Sequence, residues 1–489
     1  MPVLLSVENS RQLLAFFQDA GYSEANIRKH LRAAELPSRQ LRNAARLLGR
    51  TAEPTLLNVL LRWFWLGHAQ PEAKIADLVP SEFLSLLLQS ELIEAANGLL
   101  TPKSMLVPAE NFLVASDHPT AIERGESEMV LWPNPTSKFL ARFAIHRHSR
   151  ATLDLGTGCG ILSLGAAGFS DTVVATDLNP RAAEFAQFNA RLNGVQNIEV
   201  LTGDRFAPVA NRRFDLILSN PPFFISPRRG YLFCDNSMEL DQLCRNIVKQ
   251  APAYLNEDGY MQMLCEWAQV EGQPWEERIA EWLQGTGCDA WVMKGFTQDP
   301  EEYAQHRITE TSQNPEDDAR SYEGYMAYYR EMGVQAIHDG LIVMRRRDGA
   351  NWVRIEEVPK TSSGDLGDLI LSTFSARDTL SKMQDDMVLL AAKPRLAAHT
   401  RLEQVCEAVK GNWVAESVTL RLTSGFPFSL KLQPLVAEFL ATCDGTLTTD
   451  QAIQAFAAVA KAPIETVRRE TLAMIRTLID RGFMVVSTE

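Results

Sequence analysis

The distribution of hydrophobic positions divides the chain into three parts. Residues 1 to about 115 show helical spacing of apolar residues, in segments that begin after Ser10, at Ser23 and at Pro37. An Asn97-Gly98 turn between two short apolar runs predicts a hairpin. This part is therefore predicted to be a helical, winged-helix-like domain, although the pattern also fits any small unit of helices and a hairpin.

From Arg150 to about Val358, short apolar strands alternate with amphipathic helices. The strand-like runs include ATLDLG, VVATD and FDLILSN. This alternation predicts an α/β fold with a doubly wound, mostly parallel, Rossmann-like sheet. The polar stretch 298–339 is long for a loop, so it is predicted to be an insertion with its own helix around Ala319 to Met332.

From about Thr400 the apolar spacing is helical again. It predicts three helices and a terminal strand, a second small, mainly helical and winged-helix-like domain. The predicted domains are thus a helical domain, an α/β domain carrying the insertion 298–339, and a C-terminal domain, with the boundaries 1–128, 129–358 and 359–489.

Composition narrows the class of protein. Of the 489 residues 46% are hydrophobic and 22% charged, as in soluble globular proteins. The sequence shows neither a long uncharged apolar run nor a secretory start, so a cytoplasmic protein without a membrane span is expected. The 7 Cys form no CxxC pair, so neither a disulfide framework nor a metal site is expected. A net charge of −13 argues against a uniformly basic nucleic-acid sleeve.

A glycine-rich segment directly follows the first predicted strand of the α/β part. Gly156, Gly158 and Gly160 allow a tight turn and a close approach to a ligand. The spacing GxGxG is one residue shorter than the dinucleotide pattern GxGxxG. Asp154 would repel a pyrophosphate but suits an ammonium group, and Asp177, at the end of the next strand, can accept hydrogen bonds from both hydroxyls of a ribose. These features favour an amino-acid-plus-nucleoside ligand over NAD, and they disfavour an NAD-type oxidoreductase.

A second motif, Asn220-Pro221-Pro222-Phe223, closes the fourth strand. Two prolines cannot donate to a sheet ladder, so the strand ends there. The Asn220 side-chain oxygen and the Pro221 carbonyl can accept the two protons of a planar amine or amide, while Phe223 stacks on it. Holding both protons pulls the nitrogen toward pyramidal geometry and frees its lone pair to attack an electrophilic carbon. Positioning and electrostatics can then drive the transfer of a carbon group to this nitrogen without a strong general base. The alternative interpretation is a plain strand end with Phe223 in the core.

The glycine segment and its acids resemble the class I S-adenosylmethionine-dependent methyltransferases, over roughly residues 130 to 350. The resemblance implies a seven-stranded sheet and S-adenosyl-L-methionine as the cofactor. It places the methionine part on the glycine loop, the ribose on Asp177 and the adenine near Asp204 and Arg205. The implied cofactor residues are Asp154, Gly156, Gly158, Gly160, Asp177, Asp204, Arg205 and Asn220.

The tetrapeptide resembles the signature of the nitrogen methyltransferases in the small-methyltransferase superfamily. Members of the class I family also fold a segment over the methionine end of the cofactor, and Trp132–Ser137 stands at that place, with Pro133 and Ser137 as candidates. The resemblance therefore implies an enzyme whose catalytic residues are Asn220, Pro221, Pro222 and Phe223.

The resemblance leaves the methyl acceptor open. Release-factor glutamine methyltransferases usually carry tyrosine where Phe223 stands, and ribosomal RNA guanine methyltransferases carry histidine where Phe224 stands. An exocyclic amino group of a base in rRNA, tRNA or DNA is the first hypothesis, and glutamine in a protein such as a release factor is the second. A non-catalytic binding module that kept the cofactor fold is a third, disfavoured by the intact tetrapeptide. Phe224, Arg228 and Arg229 are candidates for acceptor contact.

An arginine stripe, defined as Arg39, Arg42, Arg46 and Arg50, lies on one side of a predicted helix, and its first three members are further candidates for acceptor contact. Such a run is usually a solvated face. The alternative is a surface that contacts successive phosphates of a nucleic acid. This stripe and the winged-helix-like ends place the base acceptor ahead of glutamine.

Overall fold

The computed structural model describes residues 1–32, 41–227, 230–311 and 315–487. The chain forms two compact units. One contains Met1–Ala141 and Arg147–Glu357, and the other contains Arg142–His146 and Val358–Glu489. The first two predicted domains therefore belong to one compact unit, and the division between them at residue 128 stays a prediction.

The larger unit begins with helices, as predicted. Ser6 caps the first of them, accepting a hydrogen bond from the amide of Asn9 at 3.1 Å, so this helix begins earlier than predicted and Ser10 is buried inside it. Ser23 caps the second helix through the amide of Asn26. The helices are α1 (Val7–Asp19), α2 (Glu24–His30), α3 (Leu41–Arg50), α4 (Leu56–Phe64), α5 (Glu72–Ile75) and α6 (Ser81–Gln89).

Two hairpins follow the helices. Asn97 and Gly98 have φ angles of 54° and 71°, which the tight turn of the predicted hairpin requires, so that prediction is confirmed. The first hairpin belongs to an antiparallel sheet in the order β1-β3-β2. The strands are β1 (Gln70–Pro71), β2 (Ile93–Ala96), β3 (Leu99–Pro102) and, in the second hairpin, β4 (Met105–Ala109) and β5 (Phe112–Ser116).

The centre of the larger unit is an eight-stranded sheet in the order β13-β11-β12-β10-β9-β6-β7-β8. Only β12 runs antiparallel to its neighbours. The strands are β6 (Ser149–Leu155), β7 (Ser170–Asp177), β8 (Ile198–Thr202), β9 (Phe214–Ser219), β10 (Leu255–Val270), β11 (Cys288–Gln298), β12 (Val334–Arg346) and β13 (Val353–Glu357). The Rossmann-like fold is confirmed, and the strand beyond the expected seven is β13, which extends the edge parallel to β11.

The strand order reverses between β6 and β9, and ligands of such sheets bind at the carboxyl ends beside this reversal. Buried apolar side chains from β6, β9, β10 and β11 pack with those of the covering helices into one core. The helices are α7 (Thr120–Glu123), α8 (Pro135–Phe143), α9 (Ile161–Ala166), α10 (Pro180–Leu192), α11 (Gln242–Gln250), α12 (Trp275–Leu283), α13 (Pro300–Thr311) and α14 (Pro315–Glu331).

The predicted insertion differs in detail from the structure. It holds two helices, α13 and α14, where one was predicted, and β12 begins at Val334, inside the range assigned to the insertion. Both helices pack on β12 through buried tyrosines and form a second apolar cluster, which includes Ile225 of the loop after β9.

The smaller unit contains the three predicted helices and the terminal strand, together with elements that were not predicted. The unpredicted elements are two helices, a strand that pairs with the terminal strand, and an antiparallel sheet in the order β15-β16-β17. No helix within the described ranges has the length and apolar character to cross a membrane. The elements are α15 (Leu366–Lys382), α16 (Asp386–Ala391), β14 (Lys393–Leu396), β15 (Thr400–Val409), β16 (Asn412–Leu422), β17 (Ser429–Leu432), α17 (Pro434–Ala441), α18 (Thr449–Ala460), α19 (Ile464–Asp480) and β18 (Met484–Ser487).

Candidate functional site

The glycine loop connects β6 to α9 and requires glycine for two reasons. Gly156, Gly158 and Gly160 have φ angles of 79°, 54° and 83°, in the left-handed region. A Cβ atom on Gly160 would also lie 3.1 Å from the Cα and Cβ atoms of Ala186 in α10. Glycine at 160 therefore permits both the turn and the close packing of the loop on α10.

Asp154 is fully buried beneath this loop. Its Oδ2 atom accepts hydrogen bonds from the Thr157 hydroxyl at 2.6 Å and from the Ser163 amide and hydroxyl at 3.0 and 2.6 Å. Burial raises the pKa of Asp154 to about 6, although the hydrogen bonds from Ser163 and Thr157 oppose that shift. Asp154 thus braces the loop and the start of α9 from below.

The other carboxylate oxygen of Asp154, Oδ1, is buried and has no hydrogen-bond partner among the described residues. An unsatisfied buried acceptor costs free energy, and a charged one costs more. An ammonium donor would satisfy this oxygen, so the site fits the amino-acid end of the expected cofactor.

Asp177 ends β7 and lies against the same loop. Its Oδ2 accepts the amide of Gly158 at 2.8 Å, and its Oδ1 accepts the amide of Asn179 at 2.9 Å. Burial raises the pKa of Asp177. A carboxylate offers about four lone-pair positions, so each oxygen of Asp177 can accept one more donor, such as a ribose hydroxyl.

The end of β8 joins this group through Gly203, whose amide donates to the Asp177 carbonyl at 2.8 Å. A Cβ atom on Gly203 would lie 2.6 Å from Cγ of Pro208, so the turn has room for glycine only. Asp204 is about half exposed and forms a two-pronged ion pair with Arg205, with Nη2 to Oδ2 at 2.7 Å. The hydrogen bond from Arg205 lowers the pKa of Asp204. The two predicted adenine-side residues therefore pair with each other at the surface.

The tetrapeptide lies beside the glycine loop, because β9 and β6, the strands that precede them, are neighbours in the sheet. A Cβ atom on Gly156 would lie 4.0 Å from Cα of Pro221. The carbonyl oxygen of Pro222 accepts a hydrogen bond from the Asn236 side chain at 2.9 Å. Phe223 is partly buried and packs on the main core, so the ring has a structural role beside any role in stacking.

The side-chain amide of Asn220 has a defined orientation. Its Nδ2 lies 3.4 Å from the hydroxyl oxygen of Thr136. That hydroxyl donates its own proton to Oδ1 of Asn134 at 2.8 Å, so it can only accept from Asn220. Oδ1 of Asn134 also accepts the amide of Ser137 at 2.9 Å, which fixes its identity as oxygen. The Oδ1 atom of Asn220 is thereby the end turned away from Thr136 and can accept a proton from an acceptor amine.

Several contacts of this site were not predicted. The sequence suggested that Trp132–Ser137 covers the site, but it singled out Pro133 and Ser137, whereas Thr136 contacts Asn220. Ser137 is buried and its hydroxyl bonds the backbone of Asn134 at the start of α8. No sequence pattern pointed to Asn236 as a site residue, because its partner Pro222 lies 14 residues away across an irregular loop.

The structure describes some, but not all, of the residues predicted to contact the methyl acceptor. Phe224 lies next to Phe223, with ring centroids 5.8 Å apart. Arg228, Arg229 and Arg39 lie outside the described residues. Arg42 belongs to α3, and Arg46 of the same helix is exposed. Among the described residues, no group of three or more His, Cys, Asp or Glu side chains is arranged to hold a metal ion.

Family models match two segments of the chain. Residues 133–274 match the methyltransferase small domain, and residues 373–486 match a domain of unknown function, DUF7782. The first match covers the glycine loop, the tetrapeptide and the strands β6 to β10.

Curated relatives align over the same region. The release factor glutamine methyltransferase of Geobacter sulfurreducens is 28% identical over 199 residues, which is 38% of this chain and 69% of the relative. The ribosomal protein uL3 glutamine methyltransferase of Bradyrhizobium diazoefficiens is 30% identical over 163 residues, 31% of this chain and 42% of the relative. The alignments thus span about two thirds of the first relative and less than half of the second.

Among solved structures, the ribosomal protein L11 methylase of Lactobacillus delbrueckii subsp. bulgaricus is 19% identical, with 45% of this chain and 82% of that chain covered and a TM-score of 0.26. A likeness at this level adds nothing to the assignment.

Proposed function

We propose that this chain, a class I S-adenosylmethionine-dependent methyltransferase of the small-methyltransferase group, transfers a methyl group to the side-chain amide of a glutamine in a protein. The family match and the relatives confirm the family, the N-methyltransferase class and the cofactor that the sequence predicted. The acceptor and the roles of the individual site residues are the proposal.

The observation that carries transfer to a planar nitrogen is the orientation of the Asn220 amide beside the glycine loop. S-adenosylmethionine, when bound, supplies an electrophilic methyl group on a sulfonium. Asn220 Oδ1 and the Pro221 carbonyl accept the two protons of the acceptor amide and aim its nitrogen lone pair. Thr136 orients the Asn220 amide, and Asn236 holds the carbonyl of Pro222, the residue after Pro221. Because these contacts exist beforehand, little reorganisation is needed during transfer.

The names of the relatives favour glutamine over a nucleic-acid base, which reverses the order suggested by the sequence. Both relatives described above are named for glutamine in a protein, one in a release factor and one in a ribosomal protein. One arginine of the stripe is engaged within the protein, since Arg50 donates to the carbonyl of Leu31, whereas Arg46 is exposed.

The charge near the catalytic loop, defined as residues 220–227, also favours a protein acceptor. Residues 298–332, which include α13 and α14, carry nine Asp or Glu and three Lys or Arg. Glu301, Glu302, Glu323 and Glu331 are exposed. The insertion that packs on the loop after β9 is therefore acidic, and acidic groups repel the phosphates of a nucleic acid.

The test is transfer of labelled methyl from S-adenosylmethionine to purified release factor, ribosomal protein uL3, total RNA and DNA in parallel. We expect label in a protein that resists nuclease, is lost on proteolysis and is released as volatile methylamine by acid hydrolysis, because that treatment cleaves an N-methyl amide. Replacing the methylated glutamine by Asn should abolish labelling of that protein. Label that appears as a methylated nucleoside after nuclease digestion contradicts the glutamine proposal and favours the base.

A further inference from the structure

The insertion helices hold the loop that follows the tetrapeptide. Tyr303 of α13 accepts the amide of Ile225 at 3.1 Å, and Tyr329 of α14 donates to the Ile225 carbonyl at 2.7 Å. Ile225 is fully buried, so both of its backbone polar groups depend on these two tyrosines. The Tyr325 hydroxyl also lies 3.1 Å from the Ser226 hydroxyl. The conformation of the loop is thus tied to α13 and α14.

Arg307 of α13 contacts the residue that directly follows the tetrapeptide. Its guanidinium carbon lies 3.8 Å from the ring centroid of Phe224, the distance of a stacked cation–π pair. Arg307 is only 9% exposed. A buried guanidinium requires a charge partner, and Glu266 supplies one, with Nη2 to Oε1 at 3.6 Å.

Glu266 connects these contacts to the central sheet. Its Oε2 accepts the hydroxyl of Tyr303, so one buried carboxylate orients both Arg307 and Tyr303. Glu266 lies on β10, which pairs in parallel with β9, the strand that ends just before Asn220. A series of contacts therefore connects the central sheet to the catalytic loop, from Glu266 through Arg307 to Phe224.

We propose that Arg307 is a positioning residue for methyl transfer, acting through Phe224 to hold Phe223 and the tetrapeptide in the geometry that the acceptor amide requires. The inference rests on the proposed function, because it takes the tetrapeptide as the acceptor site. A displacement of about 1 Å in such a site can cost on the order of 100-fold in rate. A stacked guanidinium and two backbone hydrogen bonds restrict such a displacement.

The first test compares Arg307→Met, Arg307→Lys and Tyr329→Phe in the full chain. Arg307→Met keeps the bulk of the stem but loses the stack and the charge, and we expect kcat to fall about 10- to 100-fold. Arg307→Lys keeps the partner charge for Glu266 and should recover part of that loss. Tyr329→Phe removes only the bond to Ile225 and should lower kcat several-fold. Affinity for S-adenosylhomocysteine, measured by calorimetry, should change little, because the expected cofactor residues other than Asn220 belong to other loops.

The matched control is Tyr328→Phe on the same helix. Its hydroxyl accepts the amide of Leu240 at 2.9 Å, so the variant loses a comparable hydrogen bond outside the catalytic loop. We expect wild-type kcat from this control. Equal losses of kcat in Tyr328→Phe and Tyr329→Phe would overturn the inference in favour of general destabilisation of the insertion.

A second measurement requires no acceptor. Hydrogen–deuterium exchange over residues 220–227 should become faster in Arg307→Met and Tyr329→Phe and stay as in wild type in Tyr328→Phe. Unchanged exchange with wild-type kcat in the first two variants overturns the inference. Where the acceptor is not identified, the initial rates of labelled methyl transfer into the same cell extract are compared between variants and wild type in place of kcat, and their ratios can be obtained whatever the acceptor is. A wild type that labels only nucleic acid refutes the glutamine proposal while the ratios still decide the role of Arg307.

Discussion

The carboxylate of Asp177 accepts a hydrogen bond of 2.8 Å from the backbone amide of Gly158. This bond joins the two features that the sequence assigned to the cofactor, the glycine loop after β6 and the acid at the end of β7. The second oxygen of Asp177 bonds the amide of Asn179, where α10 begins. The side chain expected to bind the ribose thus also sets the shape of the loop expected to bind the methionine part.

Asp177→Ala should weaken the binding of S-adenosylhomocysteine about ten- to hundredfold. Hydrogen bonds to a charged group contribute roughly 1.5–3 kcal/mol, and the variant loses those to the ribose and the one to Gly158. The measurement is isothermal titration calorimetry. Asp171→Ala is the matched control, because Asp171 is exposed at the other end of β7, where it pairs with His148. Wild-type affinity in Asp177→Ala would remove Asp177 from the cofactor site.

Asn220→Ala should lower kcat on the acceptor by about 100- to 1000-fold, with little change in cofactor affinity. The loss of one preorganised polar contact in a transition state typically has this magnitude. Steady-state transfer of labelled methyl gives kcat, and calorimetry gives the affinity. In the control Asn351→Ala, the residue replaced is exposed and bonds only its own turn at Arg347, so wild-type kcat is expected. Normal turnover by Asn220→Ala would refute the catalytic role.

Gly160→Ala should both destabilise the chain and weaken cofactor binding. A φ of 83° costs a non-glycine residue about 1–2 kcal/mol, and the new methyl group would lie 3.1 Å from Ala186. If that strain moves the loop, affinity falls about tenfold for each 1.4 kcal/mol. Urea unfolding and calorimetry measure the two effects.

Gly165→Ala is the matched control for this substitution. Gly165 lies inside α9, and a Cβ atom there would meet no atom within 4 Å. Alanine is a better helix former than glycine, so unchanged or slightly higher stability is expected. A Gly160→Ala variant as stable as Gly165→Ala would show that the loop tolerates a side chain.

Asp154 predicts a specific dependence of stability on pH. Burial raises its pKa from 3.8 to about 6, so between these values the folded chain keeps a proton that the unfolded chain has lost. The contribution of Asp154 to the free energy of unfolding is therefore greatest below pH 3.8 and falls as pH rises to about 6, by about 3 kcal/mol in total. Asp154→Asn lacks this titration. The free energy of unfolding of the variant minus that of wild type should accordingly rise by about 2 kcal/mol from pH 4 to pH 6, the larger part of the total. A constant difference would contradict the shifted pKa.

The parts of the site that the sequence predicted depend on local spacing. Gly156, Gly158 and Gly160 need glycine for their own φ angles, and Asp177 is placed by the length of β7, so a short stretch of sequence carries each signal. The contacts of Ile225 with Tyr303 and Tyr329 join residues 78 and 104 positions apart. Those contacts depend on how α13 and α14 pack, which no local pattern encodes.

The same reasoning explains the sheet of the smaller unit that was not predicted. Sequence patterns reveal strands through alternation between a buried and an exposed face. Nearly every residue of β15 is exposed, and Trp413 of β16 is 77% exposed. β15 and the first half of β16 thus have no buried face, and alternation is confined to the buried Val418, Leu420 and Leu422 at the end of β16. That stretch and the turn at Gly411 are short signals, which explains why the sheet was missed. The helices α17, α18 and α19 each bury one side in a common core, and they were predicted.

The arginine stripe distinguishes the two acceptors. If the acceptor is a protein glutamine, the triple variant Arg39→Ala, Arg42→Ala, Arg46→Ala should methylate its acceptor at the wild-type rate with the same dependence on salt, because no phosphate contact is lost. If the stripe instead contacts a nucleic-acid backbone, each lost phosphate contact lowers the slope of log affinity against log salt concentration by about 0.7–0.9. Acceptor binding measured from about 50 to 200 mM salt, a range over which several phosphate contacts change affinity by orders of magnitude, gives that slope. Cofactor affinity serves as the internal control and should be unchanged. A reduced slope together with slower methylation would contradict the glutamine assignment and restore the base as the acceptor.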